Sequence, residues 1–262
     1  MGIDHETVVK LSEKLFAKIP KKGVSQEVRR SSVPTSAFTG GLMKNERPLK
    51  EPFVKVAVGF EMGGWTDKGF TTACVLQQLL GGGSSFSAGG PGKGMYTRLY
   101  REVLNRHYWV EGAESFVNIH EKAGLLGIDG ACAPEYIPDM MSVIIDEFVR
   151  LSYEPVKAIE LSRAKNMLKS MLLMQLESRL VICEDIARQF MTYGARKSSE
   201  QLCAEIDAVT EKDIMLLVRR LIQNNPAIGC VGENLGKVPK YEQIVAMLDS
   251  YRGELTKRGF VL

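Results

Sequence analysis

The sequence predicts an α+β domain, a mostly antiparallel sheet covered by helices on one face. Three observations predict it. Runs with period-two alternation, such as Val54, Val56 and Val58, are bounded by turn residues. Long stretches with helical spacing of apolar residues are segregated from those runs along the chain. The 262 residues, 45% apolar and 25% charged, suffice for one sizeable core and match the averages of globular proteins.

Taken in order, Gly2 to Ile19 reads as a helix. Asp4 is its N-cap, Val8, Val9, Leu11, Leu15, Phe16 and Ile19 recur at helical spacing, and Pro20 ends it. So abrupt a beginning reads as the tail of something longer. Lys21 to Gln26 follows as a polar linker. Between Glu27 and Phe60 the pattern is strand-like, with Val28, Val33 and Phe38 ahead of the valine alternation and Gly40, Gly41, Asn45 and Pro48 as turns. Phe70 to Leu80 is a helix that stops at Gly81. Another helix is expected to start near Met95 and run through Leu99, Tyr100, Val103 and Leu104.

Trp109 to Phe116 and Leu125 to Ala133 are the next strands, with Gly112, Gly124 and Gly127 at their edges, and Pro138 sits at the start of a helix through Ile144 and Phe148. Pro155 opens the longest helical stretch, to Leu176, bending near Ser178 and continuing to Gly194. Thr210 and Asp213 form a capping box for a helix over Ile214 to Ile222, which Asn224, Asn225 and Pro226 stop. Ala227 to Val231 is a final strand, and Pro239 starts a closing helix through Ile244 and Leu248.

Composition excludes several classes. Thirty-four basic residues against 31 acidic give a net charge of +3 without a long block of one sign, which gives nucleic-acid binding no support. Five widely spaced cysteines outline neither a disulfide framework nor a CxxC metal site. The densest apolar run, Met167 to Leu176, is interrupted by Lys169, Ser170 and Gln175, so direct membrane insertion is not expected. Asp4, Glu6 and Glu13 do not suit an Arg-rich transit peptide, and no address can be read from this end.

One segment stands apart. Gly81, Gly82, Gly83, Ser84, Ser85, Phe86, Ser87, Ala88, Gly89, Gly90, Pro91, Gly92, Lys93 and Gly94 hold seven glycines in fourteen positions. Glycine is the residue that costs most to order, so such a run points to a need for mobility, positive φ or close approach of another backbone. A phosphate cradle fails. Aligning a Walker motif on Gly92 and Lys93 puts Ser87 at the first glycine and Gly94 at the magnesium-binding hydroxyl, and a GxGxxG match ends on Thr97. A flap against an extended peptide, with Phe86 as an apolar contact, and a long surface turn without ligand remain equally open on residues alone.

No catalytic constellation emerges. The inverted zinc motif HxxEH is absent, and His5, His107 and His120 each lack a second histidine within five positions. His120-Glu121 begins like HExxH, but Gly124 stands where the second ligand belongs. Glu61, Asp67, Glu111 and Glu114 read as solvated charges, and Met167, Met171 and Met174, at helical spacing, as core filler.

The run from Leu79 to Tyr100 closely resembles the signature loop of mitochondrial processing peptidase alpha subunits, within the pitrilysin-like zinc peptidase family. Gly2 to Glu6 resembles the segment that joins the two halves of such subunits, and the match continues through Arg101 to Asn105 and on to about Gly232. Ser84 departs from it, standing where many relatives carry a fourth glycine. The resemblance implies a half-subunit of pitrilysin-like (LuxS/processing-peptidase-like) fold. Residues 1–22 would be the helix of the inter-half segment, and 23–262 the carboxy-terminal domain. It further implies a non-catalytic, substrate-recognising role, with Gly81 to Gly94 contacting presequence peptides of precursor proteins. The cofactor, zinc, would sit in a partner beta subunit and none in this chain. The implied location is the mitochondrial matrix. A core structural subunit of the cytochrome bc1 complex, at the inner membrane, is the alternative the same resemblance allows.

Overall fold

The computed structural model describes residues 2–19, 37–84 and 95–259. The chain divides into two units, Met1–Ser36 and Ala37–Leu262. In the first, helix α1 (His5–Leu15) begins at Asp4, whose carboxylate accepts a hydrogen bond from the Thr7 amide at 2.9 Å, as its N-cap role predicts. No residue of α1 is buried. The expected strand residues Val28 and Val33 and the linker 21–26 lie outside the described residues.

The described residues of the second unit form six strands: β1 (Gly41–Glu46), β2 (Val54–Gly63), β3 (Gly82–Ser84), β4 (Val110–Ile119), β5 (Ala123–Cys132) and β6 (Ala227–Gly232). Their order is β1-β6-β2-β5-β4-β3. Only β1 with β6 is parallel, and the other four pairings are antiparallel. The alternation in β2 sends Val54, Val56, Val58, Phe60 and Met62 to one face at 0–2% exposure, while Lys55, Ala57 and Glu61 face the other way and stay at least partly accessible.

Among the described residues seven α-helices accompany the strands: α2 (Phe70–Leu80), α3 (Ile137–Tyr153), α4 (Ala158–Gln175), α5 (Arg179–Tyr193), α6 (Ser199–Ala208), α7 (Glu211–Ile222) and α8 (Tyr241–Lys257). α3 carries the core. Its Phe148 meets Phe60 of β2 edge to face at 5.0 Å between ring centroids, and Met140, Ile144 and Ile145 are buried beside them. Burying each such side chain contributes about 1.5–3 kcal/mol. α7 adds Ile214, Leu217, Val218, Leu221 and Ile222. The carbonyl of its last residue would be orphaned, and Arg252 of α8 donates to Ile222 O at 2.7 Å and, just beyond the helix, to Asn224 O at 2.9 Å.

Several expectations need correction. Gly41 and Asn45 are not turn residues but members of β1, paired in register with Ala227 and Val231. Gly112, Gly124 and Gly127 lie inside β4 and β5 rather than at their edges. At Gly127 the reason is close approach, since a Cβ there would come 2.5 Å from the Phe116 ring crossing it. The helix expected from Met95 is a single π-helical segment, Leu99–Leu104, in which the Asn105 amide reaches back to Tyr100 O. α6 is an element that apolar spacing did not reveal. Its signature is polar: a capping box in which Ser198 accepts from the Gln201 amide and Gln201 accepts from the Ser198 amide.

Candidate functional site

The glycine-rich segment leaves α2 through Gly81, which has φ +55, a conformation that L side chains rarely adopt. The Gly81 amide donates to Gln77 O at 2.7 Å and closes the helix. Its carbonyl accepts from the Ser115 amide at 2.9 Å, and the Ser115 hydroxyl lies 2.8 Å from Gln77 O and 3.1 Å from Gly81 O. The chain then runs as edge strand β3, with Gly82 opposite Glu114, Gly83 opposite Ala113 and Ser84 opposite Gly112. A Cβ at Gly82 would fall 2.0 Å from Ala113 O, so the glycine there is what lets β3 approach β4. Of the fourteen residues singled out by the sequence, Gly81, Gly82, Gly83 and Ser84 are therefore gathered at one sheet edge. Ser85, Phe86, Ser87, Ala88, Gly89, Gly90, Pro91, Gly92, Lys93 and Gly94 lie outside the described residues.

The far end of the segment returns to the same place. The Gly82 amide donates to Thr97 Oγ1 at 3.3 Å, which ties β3 to the start of the π-helical stretch. Beyond Thr97, Arg98 is buried at 8% exposure and donates from Nε and Nη2 to the two carboxylate oxygens of Glu160 in α4, each at 3.0 Å. Such a bidentate pair fixes direction as well as distance. The remaining nitrogen, Nη1, is buried with no hydrogen-bond partner among the described residues. Nearby, Glu147 of α3 is 4% exposed and accepts from Arg150 at 3.1 Å. Burial raises its carboxyl above the ordinary range, Arg150 and Arg98 oppose that, and Glu102 of the π segment reinforces it. Thr97, Arg98 and Glu160 belonged to no predicted site. Only the buried neighbourhood gives them a role.

Two surfaces flank this pinched base. On the helix-free face of the sheet, Glu114 of β4 stands directly opposite Asp129 of β5. They border a hollow of about 280 Å³ with Lys55, Gly83 and Ser84. Burial and the Glu114 charge push the Asp129 carboxyl up, and Lys55 opposes them. On the other side a groove of about 710 Å³ runs between α2 and α4, walled by Met167, Met171 and Met174 and rimmed by Tyr96. These methionines are not core filler. They are 36%, 40% and 65% exposed, because α4 turns Leu161, Ala164 and Leu168 inward instead.

The other residues weighed in the sequence take ordinary positions. Asp67 is a structural ion-pair partner rather than a solvated charge: Arg220 donates to both its oxygens, at 2.9 and 3.1 Å, and the Gly69 amide donates at 2.7 Å. Burial raises that carboxyl, but these hydrogen bonds outweigh it and hold the group below the usual carboxylate range. Glu61 accepts from Asn224 at 3.0 Å. The His107 ring lies 5.2 Å from that of Trp109 at a tilt of 48°, and His5 and His120 are exposed. Among the described residues no group of three or more His, Cys, Asp or Glu is placed to share a metal ion, and no helix is long and apolar enough to cross a membrane.

Comparison with known proteins places this geometry in a family. Residues 1–168 match the model of the peptidase M16 inactive domain. The chain is 37% identical to the mitochondrial-processing peptidase subunit alpha of Pongo abelii over 98% of its own length and 50% of the relative's. It is 38% identical to that of Solanum tuberosum over 93% and 47%. It thus spans about half the length of the curated relatives it matches. Among solved structures, a chain of Complex III2 from Candida albicans with Inz-5 bound superposes with a TM-score of 0.76, at 20% identity and over 94% of this chain and 56% of that one, a likeness of fold. With well over half of its residues matched by that model, the chain belongs to the peptidase M16 family, by way of its inactive domain.

Proposed function

We propose that the chain is the carboxy-terminal half of a non-catalytic, substrate-recognising alpha subunit of a mitochondrial processing peptidase, and that its glycine-rich segment handles presequence peptides of imported precursors. The observation that carries this reading is the 37% identity to such a subunit across 98% of the chain, together with the match to an inactive peptidase domain. The local geometry supports it. The edge strand β3, held by β4 and by the Gly82–Thr97 hydrogen bond, offers backbone groups to a passing polypeptide. In this reading the protein works in the mitochondrial matrix beside a beta subunit that carries the zinc and cleaves the presequence.

The test uses the complete subunit mixed with its beta partner and a basic presequence peptide. Cleavage is expected with the intact protein and should disappear on deleting Ser84 to Gly92, with the heterodimer still formed on a sizing column. Undiminished cleavage after the deletion refutes the assigned role. Co-purification with cytochrome components and no stimulation of cleavage assigns the chain instead to the bc1 complex as a structural subunit.

A further inference from the structure

We propose that Arg98 is a positioning residue: its buried ion pair with Glu160 locks the helical register of Leu99–Leu104 and thereby holds the edge strand β3 in place. The inference deepens the peptide-handling reading above and rests on it. Its starting point is a change of register within a short stretch of chain. The Arg101 amide donates to Thr97 O at 3.1 Å, four residues back, whereas the Asn105 amide donates to Tyr100 O at 3.0 Å, five residues back. The stretch therefore holds one residue more than α-helical winding would place there. Returning it to α register would turn the residues ahead of it by about 100° and move them about 1.5 Å along the axis.

Arg98 opposes that slip. The residue is 8% exposed, and its Nε and Nη2 reach both carboxylate oxygens of Glu160, which is fixed in the first turn of α4. A rotation of that size would carry the guanidinium off the carboxylate and leave two charges without their partners in a desolvated site, a heavy penalty. Leu99 and Val103 are buried in the same stretch, but apolar burial is non-directional and does not select between registers, while a forked ion pair does. Stability is a poor explanation for the pair. Nη1 of Arg98 and Oε2 of Glu147 are both buried with no hydrogen-bond partner among the described residues. A desolvated, incompletely satisfied network of this kind contributes little net stability, and the fixing of register is the best-attested use of buried polar groups.

What the register places is Thr97. Its side chain lies so close to Gly81 that a Cβ there would come 2.3 Å from Thr97 Cγ2, and its Oγ1 accepts from the Gly82 amide. Gly81 leads directly into β3, whose other side is held by β4. A chain of contacts thus runs from Glu160 through Arg98 and Thr97 to the sheet edge.

The experiment follows hydrogen exchange by mass spectrometry and cleavage of a basic presequence peptide in the complete subunit assembled with its beta partner. Two variants remove the fork. Arg98→Lys keeps the charge, and Arg98→Met with Glu160→Met removes both charges of the pair and should leave the urea midpoint close to the parent's. In both, amides of residues 77–84 and 97–105 should exchange about tenfold faster or more, while those of β2 and α3 stay unchanged. KM for the peptide should rise about threefold or more, with kcat held within about twofold of the parent's. Exchange at residues 77–84 that changes only in step with β2 and α3 makes the pair an ordinary stabilising contact and overturns the proposal. Faster local exchange with KM and kcat both unchanged overturns it as well, because β3 then moves without consequence for the peptide. If the parent complex cleaves nothing, the presequence reading falls instead, and the exchange pattern alone decides whether Arg98 locks the register.

Discussion

A methyl group placed on Gly82 would sit 2.0 Å from the carbonyl oxygen of Ala113 and 2.6 Å from the Glu114 Cα, both backbone atoms of the strand with which β3 pairs. Neither can move without opening the ladder, and φ is +123 besides. Gly82→Ala should therefore lower the free energy of unfolding by about 1–3 kcal/mol, read from urea midpoints. Gly229 in β6 is the matched control: a Cβ there meets nothing within 4 Å. Gly229→Ala should stay within about 0.5 kcal/mol of the parent. Equal losses at the two positions would show that close approach is not what Gly82 supplies. The distinction separates two uses of glycine within one run. Gly81 and Gly82 are required by the fold's own geometry, so their presence in the sequence does not by itself speak for a ligand.

At the scale of elements, a helix is readable where apolar spacing marks it, and a polar boundary alone does not reveal it. Thr210 and Asp213 mark the start of α7 in the sequence. In the structure the Thr210 hydroxyl accepts from the Asp213 amide at 3.2 Å while Asp213 accepts from the Thr210 amide at 2.8 Å. Thr210→Ala should cost about 1 kcal/mol, because one of α7's first amides loses its acceptor. A thermal midpoint unchanged from the parent would mean that tertiary packing alone holds that end. The same signature at Ser198 and Gln201 identifies α6, but a ten-residue helix with Ile206 as its one buried residue shows too little apolar periodicity to be found by spacing. The π segment was read as α because both have apolar residues every three or four positions, and only hydrogen-bond register separates them. Gly41 and Asn45 of β1 read as turn residues inside a strand-like stretch because both are poor strand formers. β1 exists through pairing with β6, nearly two hundred positions away, which no local window contains. Of the candidate site, the glycine run was legible. The Arg98–Glu160 pair was not, since the partners are 62 residues apart, and neither was the methionine wall, whose spacing is the same whether it faces in or out.

On the scale of the whole second unit, burial is concentrated unevenly, and stability should follow it. α3 buries ten residues against β2, β5, α7 and α8, whereas α4 buries Leu161, Ala164 and Leu168, and α5 buries only Gln189 and Thr192. α5 is held by polar attachments instead. Tyr193 donates to Trp65 O at 2.9 Å, Gln189 bridges Asp185 and the Lys197 amide, and Arg188 lies over the Trp65 ring at 5.7 Å. Side-chain hydrogen bonds of this kind net about 1 kcal/mol each, against the 1.5–3 kcal/mol of each large apolar side chain in α3. Leu180, Phe190 and Met191, left 75%, 52% and 68% exposed, add little. Local opening of α5 therefore exposes far less buried apolar surface than opening of β2 or α3, which dismantles the core. Hydrogen exchange followed residue by residue should show amides of Arg179–Tyr193 exchanging at free energies well below the global value, and those of β2 and α3 exchanging only with global unfolding. Denaturant should leave the α5 rates nearly unchanged while accelerating the core. If α5 instead exchanged with the same free energy and denaturant dependence as α3, the two helices would belong to one cooperative unit, and the lightly buried α5 would be as rigid as the core.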